Sequence, residues 1–548
     1  MTNPAARINA QARVPDPIED GLSRGWKVVD ASSLRAPLRL ECDVAIIGTG
    51  AGGGMTAELL TKAGLDVILI EEGPLKSSRD FKMRESDAYP ALYWDSASRK
   101  TKDKAINILQ GRAVGGSTTV NWTSSFRTPP ATLAFWREHS GLREFTPEAL
   151  APYFEQAERR LGVEPWSVAP NENNRVLQEG AAALGVATSV IPRNVQNCWN
   201  LGYCGMGCPV NAKRSMLVTT LPFALDHGAR LFTRLRALRF DLANNRVRAL
   251  QCVALLPDGL TPEGVGVEIR ARHYVVAGGA INSPALLLRS RAPDPHGLLG
   301  KRTFLHPTVI SSALFERRID AYQGAPQSIY SDHFLERDPI DGPLGFKLEV
   351  PPLHPVLFAS TLHGFGAWHA ELMRGFAHAN VVLALIRDGF HPRSTGGSMS
   401  TGPDGRGVLD YPLEDVLWDA ARRALTAMAE IQFAAGAKAV YPVHELAQGY
   451  SSFAAAKEAI AQLPMQPLLM RVVSAHVMGG CAMAADAHRG VVDARGRHFQ
   501  VENLSVHDGS VFPTSIGANP QLSIYGIVTR MASDLATDLT KRAAPVLA

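Results

Sequence analysis

The stretch DVAIIGTGAGGG, Asp43 to Gly54, decides how this chain folds. Its first half is a continuous apolar, β-branched run, the pattern of a strand buried on both faces in a parallel sheet, and it passes directly into glycines. A helix pattern follows from Met55 to Ala63, and after Gly64 a second apolar run, DVILIEEG, ends on the carboxylate of Glu71. Strand, glycine turn, helix and acid-tipped strand form a βαβ unit for a dinucleotide. Gly48 permits the tight turn, Gly50 lets backbone approach a pyrophosphate, Gly53 allows close helix packing, and Glu71 would accept hydrogen bonds from an adenosine ribose. The helix N-terminus turns its partial positive charge towards the phosphates. By itself this unit does not choose between FAD and NAD.

Working outward, HYVVAGGA (273–280) reads as a third buried strand running into glycines and a helix. NLSVHDGS, from Asn503, reads as a further strand, followed by an apolar helix from Leu522 to Leu539. Between about Leu305 and Val473 the texture changes to mixed strand-like runs with many aromatics and histidines and no phosphate loop. A chain of 548 residues exceeds the roughly 250–300 residues of a single core, so more than one domain is expected. The expected organisation is an N-terminal arm at 1–40, lying over the surface or partly disordered, and a dinucleotide-binding domain from 41–304. An inserted substrate domain at 305–473 and a returning C-terminal segment at 474–548 complete it.

Composition excludes several functions. The net charge is +4 and basic residues form no long run, so nucleic acid is not an expected partner. No segment reaches the ~20 apolar residues of a spanning helix, and the N-terminal residues lack a signal-peptide pattern. Six cysteines are too few for a disulfide scaffold and favour a cytoplasmic setting, peripheral attachment to a membrane being left open.

Three further blocks carry a resemblance. GRAVGGSTTVNWTSSFR (Gly111 to Arg127), VVAGGAINSPALLL (Val275 to Leu288) and NLSVHDGSVFPTSIGANPQLSI (Asn503 to Ile524) resemble the signatures of the glucose-methanol-choline (GMC) oxidoreductases, and stand in that family's order. The resemblance implies an α/β fold: an FAD-binding Rossmann-like domain with an inserted α+β substrate-binding domain. It implies FAD, with Glu71 at the ribose, Gly115, Gly116 and Asn121 near the isoalloxazine, Asp508 and Gly509 against the ribityl and pyrophosphate, and Gly111, Asn519 and Pro520 also at the cofactor. Some members attach flavin through a histidine just before the asparagine of the second block; here that position is Val120, so non-covalent FAD is expected.

His476, on a Gly-flanked loop in SAHVMGGCAM, and Asn519, in GANPQ, match the family's catalytic pair. An imidazole that titrates near neutrality suits removal of a hydroxyl proton, so His476 is expected as the base and Asn519 as a hydrogen-bond partner of the alcohol oxygen. His306 and His507 read as structural. The resemblance implies hydride transfer from a small-molecule alcohol to flavin N5, with oxygen or a quinone or cytochrome as acceptor. SAHVMGGC and FLHP are most similar to long-chain alcohol oxidases and sterol-oxidising members. Two other activities fit the family: a lyase whose flavin never turns over, and a dehydrogenase subunit passing electrons through an iron–sulfur cluster. Cys198, Cys204 and Cys208, within eleven residues, could ligate such a cluster, but read as buried thiols at a Gly-rich turn, with no metal.

Overall fold

A computed structural model describes residues 14–548. Eight strands form the first of two main sheets. Lys27–Asp30, Arg230–Thr233, Val67–Ile70, Leu38–Ile47 and Pro262–Val276 lie side by side in parallel, and Leu504–Val506 joins the last of these, also in parallel. Two antiparallel strands, Arg246–Leu255 and Leu235–Ala243, extend the other half of Pro262–Val276. The Leu38–Ile47 strand is longer than the apolar run: Leu38 to Asp43 is partly exposed, and only Val44 to Ile47 is fully covered. Helices Ala51–Lys62 and Gln521–Thr540 pack on each other, and the second also meets Pro147–Leu161, where Gly526 leaves the room that the Phe154 ring fills.

The expectation of a loose arm fails for residues 17–40. Asp16 caps helix Pro17–Ser23 through its carboxylate, and Lys27–Asp30 is the edge strand of the main sheet. Residues 1–13 of that arm lie outside the described residues.

A second sheet of nine strands is built around Thr308–Leu314, Ala379–Ile386 and Phe346–Glu349, all antiparallel, with helix Asp415–Ala434 against them. It is not confined to residues 305–473. Arg99–Lys100, Ile106–Ile108 and Ser189–Val190 also belong to it, and Val472–Ser474 pairs with Ile106–Ile108 in parallel. Thr308 is flanked by Leu385 on one side and Val473 on the other. That register brings the residues following Ser474 beside the residues preceding Thr308, although they are far apart in sequence. No helix among the described residues is long and apolar enough to cross a membrane.

Candidate functional site

A cavity of about 660 Å³ runs between the two sheets, from Glu71 at one end to His476 and Asn519 at the other. It lies beyond the carboxyl ends of Leu38–Ile47 and Pro262–Val276, where open α/β sheets bind their ligands. Gly48, Gly50, Gly111, Gly116, Asn121 and Pro520 line it, as do Asp508 and Gly509. Gly53 and Gly115 do not; they shape it from behind.

The glycines are dictated by backbone proximity. Gly48 has φ +107°, and a Cβ there would stand 2.2 Å from the Ala277 carbonyl oxygen. A Cβ at Gly53 would meet the Gly48 oxygen at 2.0 Å, and one at Gly52 the His507 oxygen at 1.6 Å. Gly52 was not singled out from the sequence, although it is the most tightly enclosed of the three. Gly116 passes against Gly50, while Gly115 donates its N–H to Thr49 Oγ1 at 3.1 Å. Thr49 in turn gives its N–H and hydroxyl to one carboxylate oxygen of Glu71, and Gly73 gives its N–H to the other. Burial raises the Glu71 pKa despite these bonds.

This donor set fits FAD. Helix Ala51–Lys62 starts at the cavity with a glycine N-cap and no side-chain cap, leaving its first N–H groups for a pyrophosphate, whereas the first N–H of helix Gly279–Arg289 is already taken by Asp508. Two buried amide oxygens, Asn121 Oδ1 and Asn519 Oδ1, have no partner among the described residues. An unmatched buried acceptor costs about 1–3 kcal/mol, which at Asn121 a ring N–H or a ribityl hydroxyl would offset. Asp508 holds the frame: one oxygen accepts the Gly279 N–H and Ser283 hydroxyl, the other the Ser510 N–H and hydroxyl.

At the other end, His476 Nδ1 lies 3.3 Å from His306 Nδ1, and no group among the described residues bonds its Nε2. Burial pushes the His476 pKa down to about 4, so the ring is neutral at pH 7. Asn519 Nδ2 donates to Glu349 Oε2 at 3.1 Å, which also accepts from Gln327 Nε2 at 2.5 Å. Neither Glu349 nor the His306 partnership was foreseen from the sequence.

Glu349 is fully buried, and burial, only partly opposed by Lys347, raises its carboxyl to about 7. The native state therefore binds this proton more tightly than the unfolded chain does. The stabilisation is complete below pH 4.5 and is lost as pH rises through 7. Glu349→Gln removes the titration, so its melting temperature relative to wild type should be higher at pH 8 than at pH 5, by the equivalent of up to about 3 kcal/mol. A parallel pH dependence in the two proteins would contradict the assignment.

The three clustered thiols have separate duties. Cys198 accepts the Asn200 N–H, Cys208 the Lys213 N–H, and Cys204 an Arg193 N–H. Among the described residues, no group of three or more His, Cys, Asp or Glu side chains is placed to hold a metal ion. The same turn carries Lys213, buried without a carboxylate partner, whose ammonium donates to the carbonyls of Thr119, Asn121 and Cys204 at 2.6, 3.0 and 2.8 Å. It fastens the Asn121 loop to the cysteine turn, and burial pushes its pKa down to about 8. The aromatic stretch from Trp368 to Phe376 lies outside the cavity lining, with Trp368 41% exposed.

Residues 89–308 and 392–527 match the two GMC oxidoreductase models, and residues 41–79 match an FAD-binding domain. An uncharacterized GMC-type oxidoreductase of Sinorhizobium fredii is 31% identical over 91% of this chain and 95% of its own length. The chain belongs to the GMC oxidoreductase family. The long-chain-alcohol oxidase FAO4A of Arabidopsis thaliana is 27% identical to this GMC oxidoreductase, over 94% of the chain and 71% of that relative. Among solved structures, a formate oxidase of Aspergillus oryzae shares the fold at a TM-score of 0.66 and 15% identity, covering 91% of this chain and 98% of that one. A pyridoxine 4-oxidase from Mesorbium loti does so at 0.64 and 21%, covering 90% and 99%. The GMC oxidoreductase is thus an FAD-dependent enzyme that acts on alcohols.

Proposed function

We propose that this GMC oxidoreductase oxidises the hydroxyl of an apolar, long-chain primary alcohol to an aldehyde, with FAD held non-covalently and oxygen as the final acceptor. The observation that carries this reading is the chemistry of the cavity's far end. His476 and Asn519 present polar groups there, while Leu383, Leu385, Val473 and Val477 line the space around them. A polar pair in an apolar pocket suits an alcohol with a hydrocarbon tail. The similarity to long-chain-alcohol oxidases points the same way.

Bound FAD supplies a hydride acceptor for the alcohol carbon. Gly48, Gly50, Gly116 and the open N-terminus of helix Ala51–Lys62 would hold its pyrophosphate, Glu71 its ribose, and Asn121 the ring. His476 and Asn519 bind the hydroxyl oxygen and aim the carbon, and His476 Nε2 takes the hydroxyl proton as the hydride leaves. Anaerobic titration of the holoenzyme with primary alcohols of increasing length tests the reading. Flavin bleaching is expected, with affinity rising roughly fourfold per buried methylene until the apolar space is filled. Absence of bleaching by every alcohol would overturn it, and aldehyde release without bleaching would indicate lyase chemistry instead.

A further inference from the structure

We propose that His306 is a positioning residue that fixes His476 as its Nε2–H tautomer, so that His476 meets the substrate oxygen as a hydrogen-bond donor. The chain of bonds has one direction. Gly517 N–H lies 3.0 Å from His306 Nε2, and a backbone amide can only donate, so Nε2 is a bare acceptor. A neutral His306 then carries its proton on Nδ1. That nitrogen is 3.3 Å from His476 Nδ1, which must accept. The remaining proton of a neutral His476 therefore sits on Nε2, which no group among the described residues bonds, on a residue lining the cavity.

His306 is held tightly in this role. It adopts φ +45°, a conformation that costs a non-glycine residue about 1–3 kcal/mol. Asp388 sustains it by accepting the backbone N–H groups of both Leu305 and His306, at 3.0 and 3.1 Å. Asp388 does not bond the ring. Burial, the neighbouring His476 and the cations Lys347 and Arg387 hold the His306 ring neutral. A proton added to His476 at Nδ1 would face the Nδ1–H of His306. For Nε2 to accept a hydroxyl proton, the pair must first give up the Gly517 bond. His476 then rests as a donor and serves as the base that takes the hydroxyl proton once that exchange has occurred.

Asn519 is oriented by the same logic. Glu349 Oε2 already accepts from Gln327, and the Asn519 contact to that oxygen is through Nδ2, which leaves Oδ1 as the unmatched acceptor. His476 Nε2–H and Asn519 Oδ1 then make a donor and acceptor pair, which is what one hydroxyl group requires. The inference rests on the alcohol reading only in naming the oxygen that Nε2 meets.

The test uses holoenzyme labelled with ¹⁵N-histidine, the two rings being assigned from His306→Asn and His476→Gln spectra. Wild type should show pyridine-like Nδ1 and pyrrole-like Nε2 at His476, with the reverse at His306. A pyrrole-like Nδ1 at His476 would overturn the proposal, whether or not any alcohol is oxidised. In His306→Leu, flavin reduction should gain an ionisation at least about one pH unit above any in wild type, because His476 is released to take a proton. His306→Asn, whose amide can still donate, should restore the wild-type profile. Identical profiles in the leucine variant and wild type would also overturn it. If the leucine variant fails to fold, the wild-type spectrum decides alone.

Discussion

Replacing His476 by alanine is expected to leave FAD bound and to slow flavin reduction by alcohol at least ~100-fold. Removing one donor aimed at a developing oxyanion costs about 10²–10³ in rate, and removing a positioned proton-transfer group costs a similar amount. Cofactor retention follows from location: the glycine turns and the Glu71–Thr49–Gly115 link lie at the opposite end of the cavity. Anaerobic stopped-flow mixing reads the loss, and the flavin absorbance of the purified variant reads the retention. Unchanged reduction kinetics would remove His476 from the chemistry. Loss of flavin from the purified variant would mean that the imbalance is structural.

Gly52→Ala should be the most damaging single methyl in the cofactor domain. The added carbon would lie 1.6 Å from the His507 carbonyl oxygen and 3.2 Å from Asp508 Cα. Both are backbone atoms, so no rotamer change relieves the overlap. The start of helix Ala51–Lys62 must instead move off the Leu504–Val506 strand, at a cost above the ~3 kcal/mol of ordinary overpacking. Asp508, which orders the Gly279 turn, would be displaced with it. Little folded, flavin-containing protein is expected. Gly50→Ala is the contrast: its methyl would meet only Gly116 Cα, at 3.7 Å. That variant should fold with the wild-type melting temperature as apoprotein and bind FAD more weakly. Equal FAD content in wild type and Gly52→Ala would refute the packing argument.

The βαβ unit could be read from Asp43 to Glu71 because a strand covered on both faces is apolar throughout, and because the glycines satisfy a backbone demand that no other residue meets. The edge strand Lys27–Asp30 was hidden for the opposite reason. Four residues, none fully buried, carry no apolar run, although Asp16 followed by Pro17 is a helix-start signal that marks the preceding helix. The second sheet recruits strands of two and three residues near 100, 107 and 189, too short to show periodicity. At the site, His476 and Asn519 were recognisable by motif, whereas their supports were not. His306 reaches His476 only because Thr308 pairs with Val473, and Glu349 reaches Asn519 from the end of a strand 170 residues earlier. Such contacts are set by register, which no local pattern encodes.

The claim that the hydroxyl carbon surrenders hydride beside His476 is tested most directly by mixing the anaerobic holoenzyme with a long-chain primary alcohol and with the same alcohol deuterated at its carbinol carbon. The account predicts flavin bleaching that is several-fold slower with the deuterated alcohol in wild type. An alcohol that bleaches the flavin at the same rate whether or not the carbon is deuterated, or that never bleaches it, would contradict the account.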